Sequence, residues 1–413
     1  MSAERRHVIV VGAGHGGTAV TALLRQHGYA GRITLLSAES DQPYHRPPLS
    51  KPSTVATAAT PELLREAEFY EIQNIDLRLG TTVQGFDAKT SSVTLDSGDV
   101  LAYDALVLAT GARAITLPLP GADSAQVRTL RNLGDARWLN SRLCPGAHLV
   151  IVGAGYIGLE VAALARSRGA EVTIVEGSSR ALGRSAGSDM AQWLTEYHRS
   201  RGTTIILDAV VEGFVEGQNG ELAAVRINGE ELACDLAVIG VGARARTELA
   251  VEAGLLCEGG VVVDDHGRTS ARSVYAIGDM TMRPLAPFSG LFRLESIPSA
   301  TEQARQVVAD FLNLPAPAPE IPWFWSDQFD LKLQIAGLPA LGQKAVVRGD
   351  LGAARFAVYH LDDADHVVAV EAMNSPGDFI AGKRFIADAT VVHPDLLGDA
   401  LIPLKTLMNR AIA

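Results

Sequence analysis

Cysteine is scarce in this chain: Cys144, Cys234 and Cys257 are the only three in 413 residues. No Cys-x-x-Cys or Cys-x4-Cys occurs, which excludes a redox disulfide written as a local pair. Cys144 precedes a proline and Cys234 lies in the strand-like run 232–238, so both read as incidental or buried thiols. Positive charge is also in deficit, with 36 Lys and Arg against 47 Asp and Glu and a net charge of −11. That balance argues against non-specific nucleic-acid or anionic-membrane binding, while leaving room for a local basic patch. No apolar run reaches membrane-spanning length, and a first strand starting near His7 leaves no room for a signal peptide, so the cytoplasm is the expected location. The ten histidines show no ligand spacing. They read as surface or loop residues, and no metal set or nucleophile is expected.

Glycine is plentiful and, in two places, ordered. Gly12-Ala13-Gly14-His15-Gly16-Gly17 follows the apolar run Val8 to Val11, and Gly153-Ala154-Gly155-Tyr156-Ile157-Gly158 follows Leu149 to Val152. An apolar helix comes next each time, then a second strand and an acid, Glu39 or Glu176. Gly17 precedes Glu39 by 22 residues and Gly158 precedes Glu176 by 18. Strand, Gly-x-Gly-x-x-Gly, helix and acid together form the dinucleotide-binding fingerprint. The first glycine makes the tight turn, the second admits the pyrophosphate to bare backbone, and the third lets helix pack on strand. The free N–H groups of the helix N-terminus then face the phosphates. The acid accepts from ribose hydroxyls and would repel a 2′-phosphate, so Glu176 favours NADH over NADPH, with Arg180 nearby as a counterweight. Two complete copies imply two dinucleotides and electron transfer between them.

With 47% hydrophobic and 20% charged residues, the chain is long enough for two or three domains with real cores. The loop 41–52 is stiffened by proline. A helical stretch is predicted over 61–70, a hairpin-like region over 76–96, and a buried strand over 103–109. Proline and glycine at 117–121 suggest a crossover, and 315–322 a linker. The terminal stretch alternates strands with a turn-rich connection at 360–366, then helices over 396–408. The expected fold is α/β: a discontinuous domain of 1–114 and 247–322, a second Rossmann-like domain of 115–246, and a C-terminal α+β domain of 323–413.

Beyond the glycine turns, four segments carry a family resemblance: Pro43-Tyr44-His45-Arg46-Pro47-Pro48-Leu49-Ser50-Lys51, Leu108-Ala109-Thr110-Gly111-Ala112-Arg113, Tyr275-Ala276-Ile277-Gly278-Asp279 and Trp323-Phe324-Trp325-Ser326-Asp327-Gln328. Over essentially its whole length the chain resembles the FAD-dependent, NADH-oxidising ferredoxin reductases of bacterial oxygenase systems. These lie within the two-dinucleotide flavoproteins, whose fold is three-layered and glutathione-reductase-like. The resemblance implies FAD on the first glycine turn and NADH on the second. Arg46 would be the counter-charge to the flavin pyrophosphate, and Asp279 would bind a ribityl hydroxyl. Family members often carry an acid where Ala38 stands, one position before Glu39. Lys51 would lie beside the flavin N5 and pair with Glu160, a cation favouring the negatively charged reduced ring. Glu160 also stands in a first helical turn, where carboxylates are stabilised in any case. Trp325 would shield the flavin, or pack with Trp323 as core on one face of a strand. The cofactor-binding set is completed by His15, Gly16, Thr110, Gly111 and Arg131. On the later elements it takes in Tyr156, Ile157, Arg184, Gly242, Gly278 and Ile297. Glu295 and Gln303 match a stretch flanking the flavin.

The implied reaction is hydride transfer from NADH to flavin, then single-electron transfer to a small acidic [2Fe–2S] ferredoxin, in a monomer or homodimer. Arg65, Arg283, Arg293, Arg305 and Lys332 are candidates for the docking surface. The alternatives are an NADH:rubredoxin reductase, an NADH oxidase, or a redox-sensing flavoprotein that acts through NADH-dependent interactions. Peroxidases of the superfamily use a cysteine that residues 37–52 lack.

Overall fold

Continuous apolar runs such as Val8–Val11 and Leu149–Val152 are buried on both faces only inside a parallel sheet, and the computed structural model places them there. It describes residues 6–51 and 60–410. Pro52, the last proline of the stiff loop, lies outside the described residues. The chain divides into two compact units: Met1–His45, Pro61–Arg113 and Arg244–Pro322; and Arg46–Thr60, Ala114–Ala243 and Trp323–Ala413.

In the first unit, five parallel strands run in the order Val274–Ala276, Ala105–Leu108, His7–Val11, Arg32–Leu36, Ile75–Arg78. Strand alternation sorts the central residues. Val8 and Val10 pack with Val20, Leu24 and Val307 of the helices His15–Gln26 and Ile297–Phe311. Ile9 and Val11 pack on the other face with Phe86 and Val93 of a small antiparallel sheet. The second unit repeats this plan. Its order is Thr203–Ile206, Glu171–Val175, His148–Val152, Leu236–Ile239, Val127–Thr129. Leu149 and Ile151 face the helices, and Val150 and Val152 face Phe214 and Val225 of another antiparallel sheet. Each such buried aliphatic side chain contributes ~1.5–3 kcal/mol.

The terminal residues form an antiparallel sheet in the order Trp323–Gln328, Leu331–Gly337, Val367–Met373, Arg355–Leu361, Lys344–Asp350, covered by the helix Pro376–Ala387. Leu333, Ile335, Phe356 and Val358 share one core with Leu149 and Ile151, so this sheet is built into the second unit.

Three expectations need correction. The helix predicted over 61–70 forms only at Ala67–Ile72, because Leu63 is drawn into a bridge with Tyr44 and Leu64 N–H donates to Pro43 O at 2.8 Å. The stretch from Asp76, read as part of a hairpin, falls in Ile75–Arg78, which pairs in parallel with Arg32–Leu36. His360 is no loop residue: it lies inside the strand Arg355–Leu361, buried against the Glu371 carboxylate at 2.7 Å.

Candidate active site

The two glycine turns have the same backbone. Gly12 and Gly153 have φ of 109° and 107°, the left-handed region that side chains resist. A Cβ on Gly17 would stand 1.9 Å from Gly12 O, and one on Gly158 would stand 2.2 Å from Gly153 O. The middle glycines differ from these. A Cβ on Gly14 meets nothing within 4 Å, and one on Gly155 meets only Gly240 O at 3.9 Å. Each turn is thus tight at its ends and open at its centre, beside the N-termini of the helices His15–Gln26 and Tyr156–Ser167. This is the cradle a pyrophosphate requires.

In the first unit, Gly12 abuts Ala109 and Thr110, while Gly16 lies against Ile277 and Ala300. Thr110 thus borders the first turn and is followed by Gly111; Ile277 borders it too and is followed by Gly278, and Ile297 opens the helix that carries Ala300. Gly111 and Gly278 have positive φ, and Gly278 N–H is held by Gln303 Oε1 at 2.5 Å. Asp279 follows in a short 3-10 turn, half-buried. His15 Nε2 lies 3.3 Å from His45 Nδ1. Glu39 stands beyond the strand end, where its carboxylate accepts from Tyr44 O–H at 2.6 Å. Glu295 pairs with Arg293 at 2.5 Å.

In the second unit Glu176 directly follows its strand. Its carboxylate accepts Ala154 N–H and Ser178 N–H, both at 2.8 Å. Arg180 is committed to its own loop, donating to Ala186 O and Gly183 O. Arg184 is exposed and donates to Val241 O beside Gly242, whose φ is 117°. Tyr156 packs edge-on against Phe324, and Ile157 is exposed at the helix start. Arg46 donates to Arg131 O at 2.8 Å.

The chemical centre of the second unit is Glu160. Its carboxylate is buried, accepting Ser50 O–H at 2.5 Å and Ser326 O–H at 2.6 Å, with Lys51 Nζ 3.6 Å away. Burial pushes the Glu160 pKa up, against the pull of Lys51 and the two hydroxyls. Lys51 donates to Asp327 at 2.8 Å and stands 5.6 Å from the Trp325 ring centre. Trp323 and Trp325 do share a face, their rings 5.7 Å apart. Deleting Lys51 would leave the buried Glu160 carboxylate without its cation, which costs about 3–5 kcal/mol, whereas deleting Glu160 leaves Lys51 paired with Asp327.

The family resemblance implies the pairing of Lys51 with Glu160 but assigns no role to Ser50, Ser326, Asp327 or Gln328. The signal was present: alternation along Trp323–Gln328 puts polar Ser326 and Gln328 on the buried face. His198, read as a surface or loop residue, lies in the helix Ser188–Ser200 and is wholly buried, because Gln328 supplies a partner inside. Arg283 is no docking residue: it is buried against Glu302 at 2.6 Å and Ser299 at 3.0 Å. Arg305 pairs with Glu320, whereas Arg65 and Lys332 are exposed. The three cysteines are free thiols, and burial pushes that of Cys234 up to about 12.

Residues 6–304 match the model of the pyridine nucleotide-disulphide oxidoreductases, and residues 323–408 match that of the reductase C-terminal domain. The chain is 40% identical over 410 residues to a probable ferredoxin reductase, CtmF, of Castellaniella defragrans, covering 98% of this chain and 100% of that one. It is 36% identical to the putidaredoxin reductase CamA of Pseudomonas putida, covering 98% of each. Among solved structures, the covalent putidaredoxin reductase–putidaredoxin complex superposes with a TM-score of 0.95 at 36% identity over 99% of each chain. Among the described residues no helix is long and apolar enough to cross a membrane.

Proposed function

Because this chain belongs to the pyridine nucleotide-disulphide oxidoreductase family, we propose that it is an FAD-dependent NADH:ferredoxin oxidoreductase, delivering electrons to a small [2Fe–2S] ferredoxin that serves an oxygenase. The observation that carries this reading is the buried Lys51–Glu160 pair beside Trp325, in a chain with two glycine turns and free cysteines. FAD, when bound, accepts hydride from NADH and releases electrons singly.

The protein supplies position and charge. Residues 1–114 and 247–322 would hold FAD, Gly12, Gly14 and Gly17 offering backbone to its pyrophosphate and Thr110, Gly111, Gly278 and Asp279 contributing to its binding. Arg46 and Arg131 add positive charge. Residues 115–246 bind NADH, where Glu176 receives the ribose hydroxyls and Arg184 and Gly242 line the approach. Lys51, fixed between Glu160 and Asp327, would offer a stationary cation to a reduced flavin, an electrostatic arrangement that needs no rearrangement during reaction. The exposed cations Arg65 and Lys332 are offered to an acidic ferredoxin. The enzyme works in the cytoplasm, as a monomer or homodimer.

The test is anaerobic NADH titration of the purified yellow protein, followed by candidate ferredoxins. Ferredoxin reduction should slow steeply with salt while reduction of a small dye does not. A protein that takes up no flavin refutes the assignment, and equal salt responses refute the docking step.

A further inference from the structure

Glu160 is the end of a chain of hydrogen bonds that runs away from Lys51. Ser326 Oγ donates to Glu160 Oε1 at 2.6 Å, Gln328 Nε2 donates to Ser326 Oγ at 3.0 Å, and Gln328 Oε1 lies 2.8 Å from His198 Nε2. Every member is buried: Glu160 is 4% exposed, Ser326 1%, Gln328 2% and His198 0%.

The direction of the chain follows from its end. An ionised carboxylate only accepts, so the Ser326 proton points at Glu160 and its lone pairs are left for Gln328. The amide therefore turns its NH2 toward Ser326 and its oxygen toward His198. His198 must then carry its proton on Nε2, and Nδ1 is left buried without a hydrogen-bond partner. Burial keeps the ring neutral, holding its pKa down to about 4. Phe329 packs against it at 5.0 Å, while the charged neighbours Arg201 and Asp330 are paired with each other and with Tyr197.

A buried imidazole with an idle nitrogen is a costly way to fill space next to an aromatic ring. Its remaining nitrogen feeds a donor chain in which each bond polarises the next. We propose that His198 is a positioning residue which, through Gln328 and Ser326, holds Glu160 ionised and aimed at Lys51. This rests on the proposed role of the Lys51–Glu160 pair. The charges facing Glu160 are Lys51, which favours its ionised form, and Asp327, which opposes it. Without the donor chain, Ser326 is a weaker and freer donor, and Glu160 takes a proton at higher pH.

The experiment compares His198→Met, which fills the space without a donor, with His198→Gln, which can still donate to Gln328, and with Glu160→Gln. In the flavin-loaded protein, the acid limb of the NADH reduction rate should move up by about half to one pH unit in His198→Met and return in His198→Gln. The alkaline plateau should hold. Imidazole 15N NMR of the wild type should show a neutral ring with its proton on Nε2 down to about pH 5. This second measurement decides if His198→Met does not fold. A ring protonated on Nδ1, or titrating near 6.5, overturns the proposal. So does an unmoved acid limb in His198→Met while Glu160→Gln abolishes it. An acid limb intact in Glu160→Gln overturns instead the role given to the pair.

Discussion

The two glycine-rich turns share a backbone and part company at two side chains. Gly12 N–H donates to Leu36 O and Gly153 N–H to Val175 O, both at 2.8 Å, which sets the registers equivalent. Ser37 then corresponds to Glu176, and Glu39 stands two residues further on. Along the helices, counted from the third glycine, Ala19 corresponds to Glu160. The second copy therefore has a carboxylate bonded to its own turn and another buried in the following helix, where the first has a serine and an alanine. Phosphate binding is a backbone property and repeats. What is read beyond the phosphates is a side-chain property and diverges.

Breaking the shared part should have the largest effect. Gly17→Val and Gly158→Val each drive a side chain into the carbonyl oxygen of the first glycine of their turn. Overpacking against rigid backbone costs ~1–3 kcal/mol or more, about a 5- to 150-fold loss of nucleotide affinity. The outcomes should differ by unit. Gly17→Val should purify colourless, whereas Gly158→Val should remain yellow but show a sharply raised KM for NADH. Flavin absorbance and NADH titration check this, and a colourless Gly158→Val would undo the division of labour.

The buried carboxylate of the second copy brings its histidine with it, and that has a consequence in acid. His198 is held down to about 4 from an ordinary 6.5. Above pH 6.5 the ring is neutral in folded and unfolded chains alike. As the pH falls, the unfolded chain takes the proton first, so stability drops until about pH 4 and then levels. Between pH 7 and 5 the loss should be about 2 kcal/mol. Urea unfolding at the two pH values should show it in the wild type, and His198→Gln should flatten it.

Much of this was legible in the sequence because periodicity and spacing report backbone. The paired Gly-x-Gly-x-x-Gly runs located both parallel sheets, and the apolar runs before them located the central strands. Long-range pairing is where the reading fell short. Nothing local says that Leu63 bridges Tyr44 and leaves a helix only at Ala67–Ile72. Nor does composition reveal that Arg283 turns inward to Glu302, since a buried ion pair and a surface arginine are spelled alike. His198 and His360 are buried for one reason: a polar residue goes inside only where a partner waits, and the partners lie on other elements, Gln328 far along the chain and Glu371 on the paired neighbouring strand.

Copying the serine of the first turn into the second sharpens the comparison. Glu176→Ser removes the acceptor proposed for the ribose and the one that holds the N–H groups of Ala154 and Ser178. Hydrogen bonds to a charged acceptor are worth ~1.5–3 kcal/mol, so KM for NADH should rise at least ~10-fold. NADPH should gain little, because Arg180 is held by the carbonyls of Gly183 and Ala186. Steady-state kinetics with the two nucleotides decide the matter, and a clear preference for NADPH would show that Arg180 is released.

The smallest effect is expected at Glu39, the acid that spacing had equated with Glu176. Its carboxylate stands two residues past the equivalent register position and accepts from Tyr44 O–H at 2.6 Å. Tyr44 is buried at the start of the segment that leads to Lys51. Glu39→Gln keeps an acceptor for that hydroxyl and removes the charge, so the hydrogen bond from Tyr44 weakens by roughly 0.5–1 kcal/mol. Flavin affinity, measured by back-titration of stripped protein, should fall no more than about 5-fold. A loss as large as that of Glu176→Ser would mean that the first turn, too, reads its ribose through an acid, reached by a longer loop, and that the two copies differ in spacing alone.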